Sequence, residues 1–156
     1  MSGLDGRQPT DADWLALCLV TESDRPAEWP AIAQVIENRL KSGRWGPNYR
    51  EVVLARKQFS AFNVVSGRLT SLTYSEAWGI VAREQGQLLL VHAGQFVGRA
   101  MASGWMSAIT PATLHYYSPV SMRPAGSRPA WAKAAKRLYT PPGLEPERFV
   151  FAEAVP

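Results

Sequence analysis

With 156 residues, 46% of them hydrophobic and 19% charged, the chain is sized for one domain with its own core, which excludes a disordered or fibrous protein. A single cysteine excludes an internal disulfide, and no apolar run approaches the roughly 20 residues that span a bilayer. The net charge of +4 suits an acidic partner such as nucleic acid, anionic lipid or bacterial cell wall, or serves solubility alone. Basic residues are scattered apart from Arg56-Lys57 and the group Lys133, Lys136, Arg137, and no nucleic-acid motif is present.

Residues 1–9 read as a flexible leader rich in Gly, Asp and Gln. Thr10 or Asp11 can cap a first helix, with Asp13 adding negative charge to its opening turn; this helix runs to about Glu22. Pro30 suits the first turn of a second helix, whose Ile32, Val35, Ile36 and Leu40 share one face and which Ser42-Gly43 stops. A shorter helix is expected over 49–55, packing through Val52, Val53 and Leu54. The run Lys57-Gln58-Phe59-Ser60-Ala61-Phe62-Asn63 breaks the helical pattern and reads as loop or extended chain. Thr73 with Glu76 fits a capping box, opening a helix with Trp78, Val81 and Ala82 on its apolar side. Gly86 interrupts or kinks it, and helical chain resumes over 87–102.

From Thr110 the pattern changes. Residues 112–119 are strand-like and bounded by prolines. A proline-rich stretch over 124–129 leads to Trp131, and a second strand is expected over 148–153. Helices first and strands last, without βαβ alternation, predict an α+β domain over 10–156, mainly helical with a small antiparallel sheet near the C-terminus.

Glu22 stands out in this arrangement. It follows the greasy run Leu15-Ala16-Leu17-Cys18-Leu19-Val20 and precedes the polar, turn-prone Ser23-Asp24-Arg25-Pro26. Desolvation on the apolar side would disfavour its charged form, and glycosidic-bond cleavage asks for a carboxylic acid that still holds its proton near neutrality. The plainer reading is a solvated residue at a helix end.

Four pieces taken together decide more than any one of them. Glu22 ends the first helix, Asn38-Arg39 lies on the second, Gln58-Phe59-Ser60 follows, and Tyr116-Tyr117-Ser118-Pro119 comes late, before Pro129-Ala130-Trp131. In order and spacing these resemble the SleB-type cell wall hydrolases, the spore-cortex-lytic enzymes with their phage and bacterial relatives. The resemblance covers roughly residues 12–153. It implies a compact lysozyme-like α+β domain and cleavage of the MurNAc-β-1,4-GlcNAc bond of peptidoglycan glycan strands by a lytic transglycosylase mechanism. It gives Glu22 the role of single acid and base, and looser substrate contacts to Gln58, Ser60, Tyr116 and Tyr117. Trp131 is the best groove candidate among the tryptophans.

The chain departs from the family pattern at several places. Pro26 stands where a second acidic residue is usual, Ser118 replaces the asparagine after the tyrosine pair, and Phe149 replaces a late histidine. The loop to Asn38-Arg39 is shorter, and the segment 86–109 is longer. These departures lean toward a phage-type or vegetative-wall enzyme rather than a spore enzyme. The N-terminal residues lack the charged-then-apolar order of a signal peptide. The expectation is thus a monomer made as a soluble cytoplasmic chain, with phage release or a virion delivering it to the wall.

Two-carboxylate glycosidases place a second acid across the sugar; Asp24, Glu28 and Glu37 are the candidates, and none is obvious. Asn38 and Arg39 are expected to brace the loop after Glu22 rather than touch substrate. Tyr116 and Tyr117 on a strand point to opposite faces, so one of them reaches a groove. Three rivals stand beside this reading: a lysozyme-type muramidase, a cysteine peptidase pairing Cys18 with His92 or His115, and a non-catalytic wall-binding or virion protein. Two histidines and one cysteine without ligand spacing imply no metal and no cofactor.

Overall fold

The computed structural model describes residues 8–55 and 73–156. The first seven residues of the expected leader, and the expected Gln58 and Ser60 loop, lie outside the described residues. Chain contacts divide at Met106 into a helical unit and a sheet-bearing unit from Ser107 to Pro156.

In the helical unit, α1 spans Asp11–Glu22. Thr10 caps it reciprocally with Asp13: the Asp13 N–H donates to Thr10 Oγ1 at 3.3 Å, and the Thr10 N–H donates to Asp13 Oδ2 at 2.7 Å. Both partners satisfy amides that the helix leaves open. The residues from Trp14 to Val20 are all buried, as expected of a helix apolar on every side. Among the described residues it packs against each of the other four α-helices of the unit.

Helix α2, Trp29–Ser42, follows a 3-10 turn at Pro26–Glu28 and carries Pro30 in its first turn. Ile32, Val35 and Ile36 are fully buried, whereas Leu40 at the end of the expected face is half-buried. Gly43 ends the helix in the left-handed region, at φ 73°, where a side chain would be strained. Helix α3, Tyr49–Leu54, is capped by Asn48 and buries Val52, Val53 and Leu54.

Helix α4, Tyr74–Gln85, begins at Thr73, whose hydroxyl accepts from the Glu76 N–H at 3.2 Å. Its buried stripe is Tyr74, Ala77 and Val81; Trp78 and Ala82, expected there, are half-buried. The stripe is rotated because Tyr74 packs edge-on against Trp14 of α1 at 5.4 Å between ring centroids, drawing the residues three and seven places on inward. Gly86, at φ 96°, breaks the run, and α5 continues over Gln87–Ser103, burying Leu90, Ala93, Val97 and Ala100.

The sheet unit holds three antiparallel strands in the order β1-β3-β2: β1 Thr113–Tyr117, β2 Arg137–Tyr139 and β3 Val150–Glu153. The two expected strands, β1 and β3, pair directly, with Tyr116 opposite Phe151. A register shift lies between Thr113 and His115. The three-residue β2 on the other side of β3 was not among the expected elements. The architecture is α+β, helices first and a small antiparallel sheet near the C-terminus.

Candidate active site

Helix α1 sets the place of the candidate acid. An all-apolar helix has no solvent face for a carboxylate along its length, so Glu22 comes at its last position, half-buried. Ser23 then turns the chain into extended backbone, at φ −157° and ψ 136°. Its N–H donates to the Leu19 carbonyl at 3.0 Å. Its hydroxyl donates to Glu28 Oε1 at 2.5 Å and accepts from the Arg25 N–H at 2.9 Å, while its carbonyl accepts from the Trp29 indole N–H at 2.9 Å. Ser23 is 5% exposed, Glu28 3% and Trp29 not at all. Ser23, the residue that follows Glu22, is therefore bonded through every one of its polar groups and largely closed to water, while residues 24–27 of the turn are exposed.

Charges near α1 act on Cys18. Burial pushes its thiol well up, the Glu22 charge adds to this, and Arg39 and a hydrogen bond from Thr21 oppose it. Glu22 and Arg39 are thus both within electrostatic reach of one buried sulfur. A thiol held neutral and out of solvent is not a nucleophile, which counts against the peptidase reading.

Arg39 and Asn38 are 4% and 5% exposed. The Arg39 guanidinium lies over the Trp45 ring at 4.7 Å and Arg44 lies over the same ring at 4.6 Å, while Asn38 Oδ1 accepts from Gln34 Nε2 at 3.1 Å. Of the candidate second carboxylates, Asp24 is exposed and Glu28 is bonded to Ser23. Glu37 takes Gln34 at 3.1 Å and Lys41 at 3.5 Å. Burial first, then the charges of Glu37 and Asp11, push the Tyr49 hydroxyl up to about 12.

In the sheet unit, strand alternation sorts the aromatic residues by face. His115 and Tyr117 both meet Trp131, at 5.1 and 5.9 Å between ring centroids. Trp131 rides on a 3-10 turn at Ala130–Ala134. Tyr116 points the other way, onto Phe149 and Phe151 at 5.7 and 5.6 Å. The structure therefore brings Tyr117 and Trp131 together and sets Tyr116 apart from them. His115, weighed in the sequence only as a partner for Cys18, joins this cluster instead, and its two-residue spacing from Tyr117 carried the signal. All three rings are half-buried, so each keeps some surface for a ligand.

A polar group occupies one end of the same sheet. Thr110 Oγ1 donates to Glu153 Oε2 at 2.5 Å and lies 2.8 Å from Thr113 Oγ1, which lies 2.6 Å from the Tyr139 hydroxyl. Arg137 Nε donates to Glu153 Oε1 at 2.8 Å. The hydrogen bonds from Arg137 and then Thr110 hold the Glu153 carboxyl below its ordinary value, against a smaller opposing effect of burial. Among the described residues no group of three or more His, Cys, Asp or Glu could hold a metal ion.

Compared with known families, residues 25–141, well over half of the chain, match the one described as Cell Wall Hydrolase. The chain belongs to the cell wall hydrolase family. No curated protein and no solved structure matches it. As a cell wall hydrolase it has peptidoglycan as its substrate class. The matched span takes in Gln58, Ser60, Tyr116, Tyr117 and Trp131 and begins just past Glu22. No helix among the described residues of this cell wall hydrolase is long and apolar enough to cross a membrane.

Proposed function

We propose that this cell wall hydrolase is of the SleB type and cuts the MurNAc-β-1,4-GlcNAc bond as a lytic transglycosylase, with Glu22 as its single acid and base. The carboxylic acid of Glu22 gives its proton to the glycosidic oxygen as the bond to the muramoyl C1 breaks. The carboxylate then takes the proton of the muramoyl 6-hydroxyl as O6 bonds to C1, closing a 1,6-anhydro ring. The acid is restored and no water is consumed. The observation that supports this reading most is the placement of Glu22. It is half-buried at the end of an apolar helix, and the residue after it is fixed on every side.

Tyr117 and Trp131 would stack on sugar faces and supply the hydroxyl and indole N–H as hydrogen-bonding groups. Tyr116, turned toward Phe149 and Phe151, would support the sheet. Gln58 and Ser60 remain proposed substrate contacts. The enzyme would act at the wall as a monomer released by, or carried in, a phage.

Lysozyme-type hydrolysis of the same bond is the second reading, favoured by the family's description as a hydrolase. Digestion of purified peptidoglycan followed by mass spectrometry separates the two. Anhydromuramoyl ends, one water lighter, support the transglycosylase, and reducing ends support the muramidase. Free peptides or an unchanged wall would sink both. A positioned general acid contributes about 10² to 10⁴ in rate. Glu22→Gln should lose about that much with its thermal stability retained, and clearing at the wild-type rate by this variant would end the assignment. Trp131→Ala should raise KM about fivefold, in line with an aromatic contact of about 1 kcal/mol, and leave kcat largely in place.

A further inference from the structure

We propose that Glu28, acting through Ser23, is a positioning residue for Glu22. This rests on the reading of Glu22 as the acid. A carboxylate 3% exposed is costly to bury unless its oxygens are hydrogen-bonded, and Glu28 takes the Ser23 hydroxyl at 2.5 Å. Glu28 sits at the end of the 3-10 turn Pro26–Glu28, directly before α2. A carboxylate there also suits the positive end of the helix dipole, but that alone would be served by an exposed side chain. The burial and the bond to Ser23 point to a second task.

Ser23 and Glu22 share a peptide bond, so any rotation of Ser23 swings the backbone from which the Glu22 side chain projects. Hydrogen bonds at every polar group of Ser23 oppose that rotation. Those with Leu19 and Arg25 are to backbone atoms, and those to Glu28 and from Trp29 tie the end of α1 to the start of α2. Of the three acidic residues near Glu22 in sequence or on α2, Asp24 is exposed and Glu37 is engaged with Gln34 and Lys41. Glu28 is the one seen to bond the residue that follows the acid, at 2.5 Å.

A reacting group displaced by about 1 Å can lose about 10² in rate. Ser23→Ala should therefore lower kcat about 10- to 100-fold on soluble peptidoglycan fragments while KM stays within about threefold. Glu28→Ala should do the same. Glu28→Gln keeps an acceptor oxygen for Ser23 and should recover most of the kcat that Glu28→Ala loses. In the double variant Ser23→Ala with Glu28→Ala, the kcat losses should fall well short of adding, as expected for partners in one bond.

Glu22→Gln is the reference in every assay. If it is inactive while folded Ser23→Ala keeps wild-type kcat, or raises KM instead, the positioning role falls and the acid assignment stands. If Glu22→Gln itself keeps wild-type kcat, the acid assignment fails and takes the positioning role with it. Ser23→Ala removes one oxygen only, so it decides the matter even where Glu28→Ala does not fold.

Discussion

Two glutamates anchor polar groups in this molecule, and their surroundings differ. Glu28 in the helical unit is 3% exposed, and the uncharged Ser23 hydroxyl is one of its partners. Glu153 in the sheet unit takes Thr110 on one oxygen and Arg137, an exposed cation, on the other. The first has little access to water as a substitute partner. The second has solvent and salt as competitors, and exposed ion pairs contribute little. Equal-looking hydrogen bonds thus differ in what their loss does: removing one partner strands a polar group only where water cannot reach it.

Substitutions can break or sharpen this contrast. Glu28→Ala takes away the nearer acceptor of the buried Ser23 hydroxyl, leaving it the Arg25 carbonyl at 3.3 Å, and should destabilise the fold by about 1 to 3 kcal/mol, read from urea midpoints at unchanged slope. Thr113→Val comes next. Thr113 is fully buried and bridges Thr110 and Tyr139, so the loss should be about 1 kcal/mol. Arg137→Ala should be the smallest of the three and should shrink further as salt is raised. Should Arg137→Ala cost more than Glu28→Ala, the contrast between dry and wet anchors would be wrong.

Acid titration sharpens the same contrast at the sheet. The folded value of Glu153 is lowered by Arg137 and then Thr110, so its contribution is present above the ordinary unfolded glutamate value. It is lost as the pH falls from that value through the lowered folded one. Melting curves taken across this acid range should show Arg137→Ala and wild type converging as the pH drops.

The helical order was legible because each boundary carries a local cause. Thr10 with Asp13 caps α1, Gly43 ends α2, Thr73 opens α4 and Gly86 divides α4 from α5. The buried face of α4 was misplaced because pairing with Trp14 selects Tyr74 for the inside, a tertiary choice that periodicity alone does not contain. Strand β2 escaped notice for a different reason. Arg137-Leu138-Tyr139 is too short to show alternation, and its place beside β3 follows from pairing.

Of the candidate site, the position of Glu22 could be read directly, as the first acid after an apolar run. The Ser23–Glu28 bond could not. The partners lie five positions apart across a helix break, a spacing that belongs to neither the helical nor the strand period. The split between Tyr116 and Tyr117 was foreseen as a rule of alternation, but which of them joins Trp131 depended on where the 3-10 turn carries the indole.

The complete burial of Cys18 within α1 has a consequence for life outside a reducing compartment. Oxidants and disulfide exchange act on accessible thiolates, and this sulfur offers neither access nor charge while the helix is packed. The fold therefore needs no reductant to stay intact, and the rate at which a thiol reagent labels the protein reports how often its helical core opens.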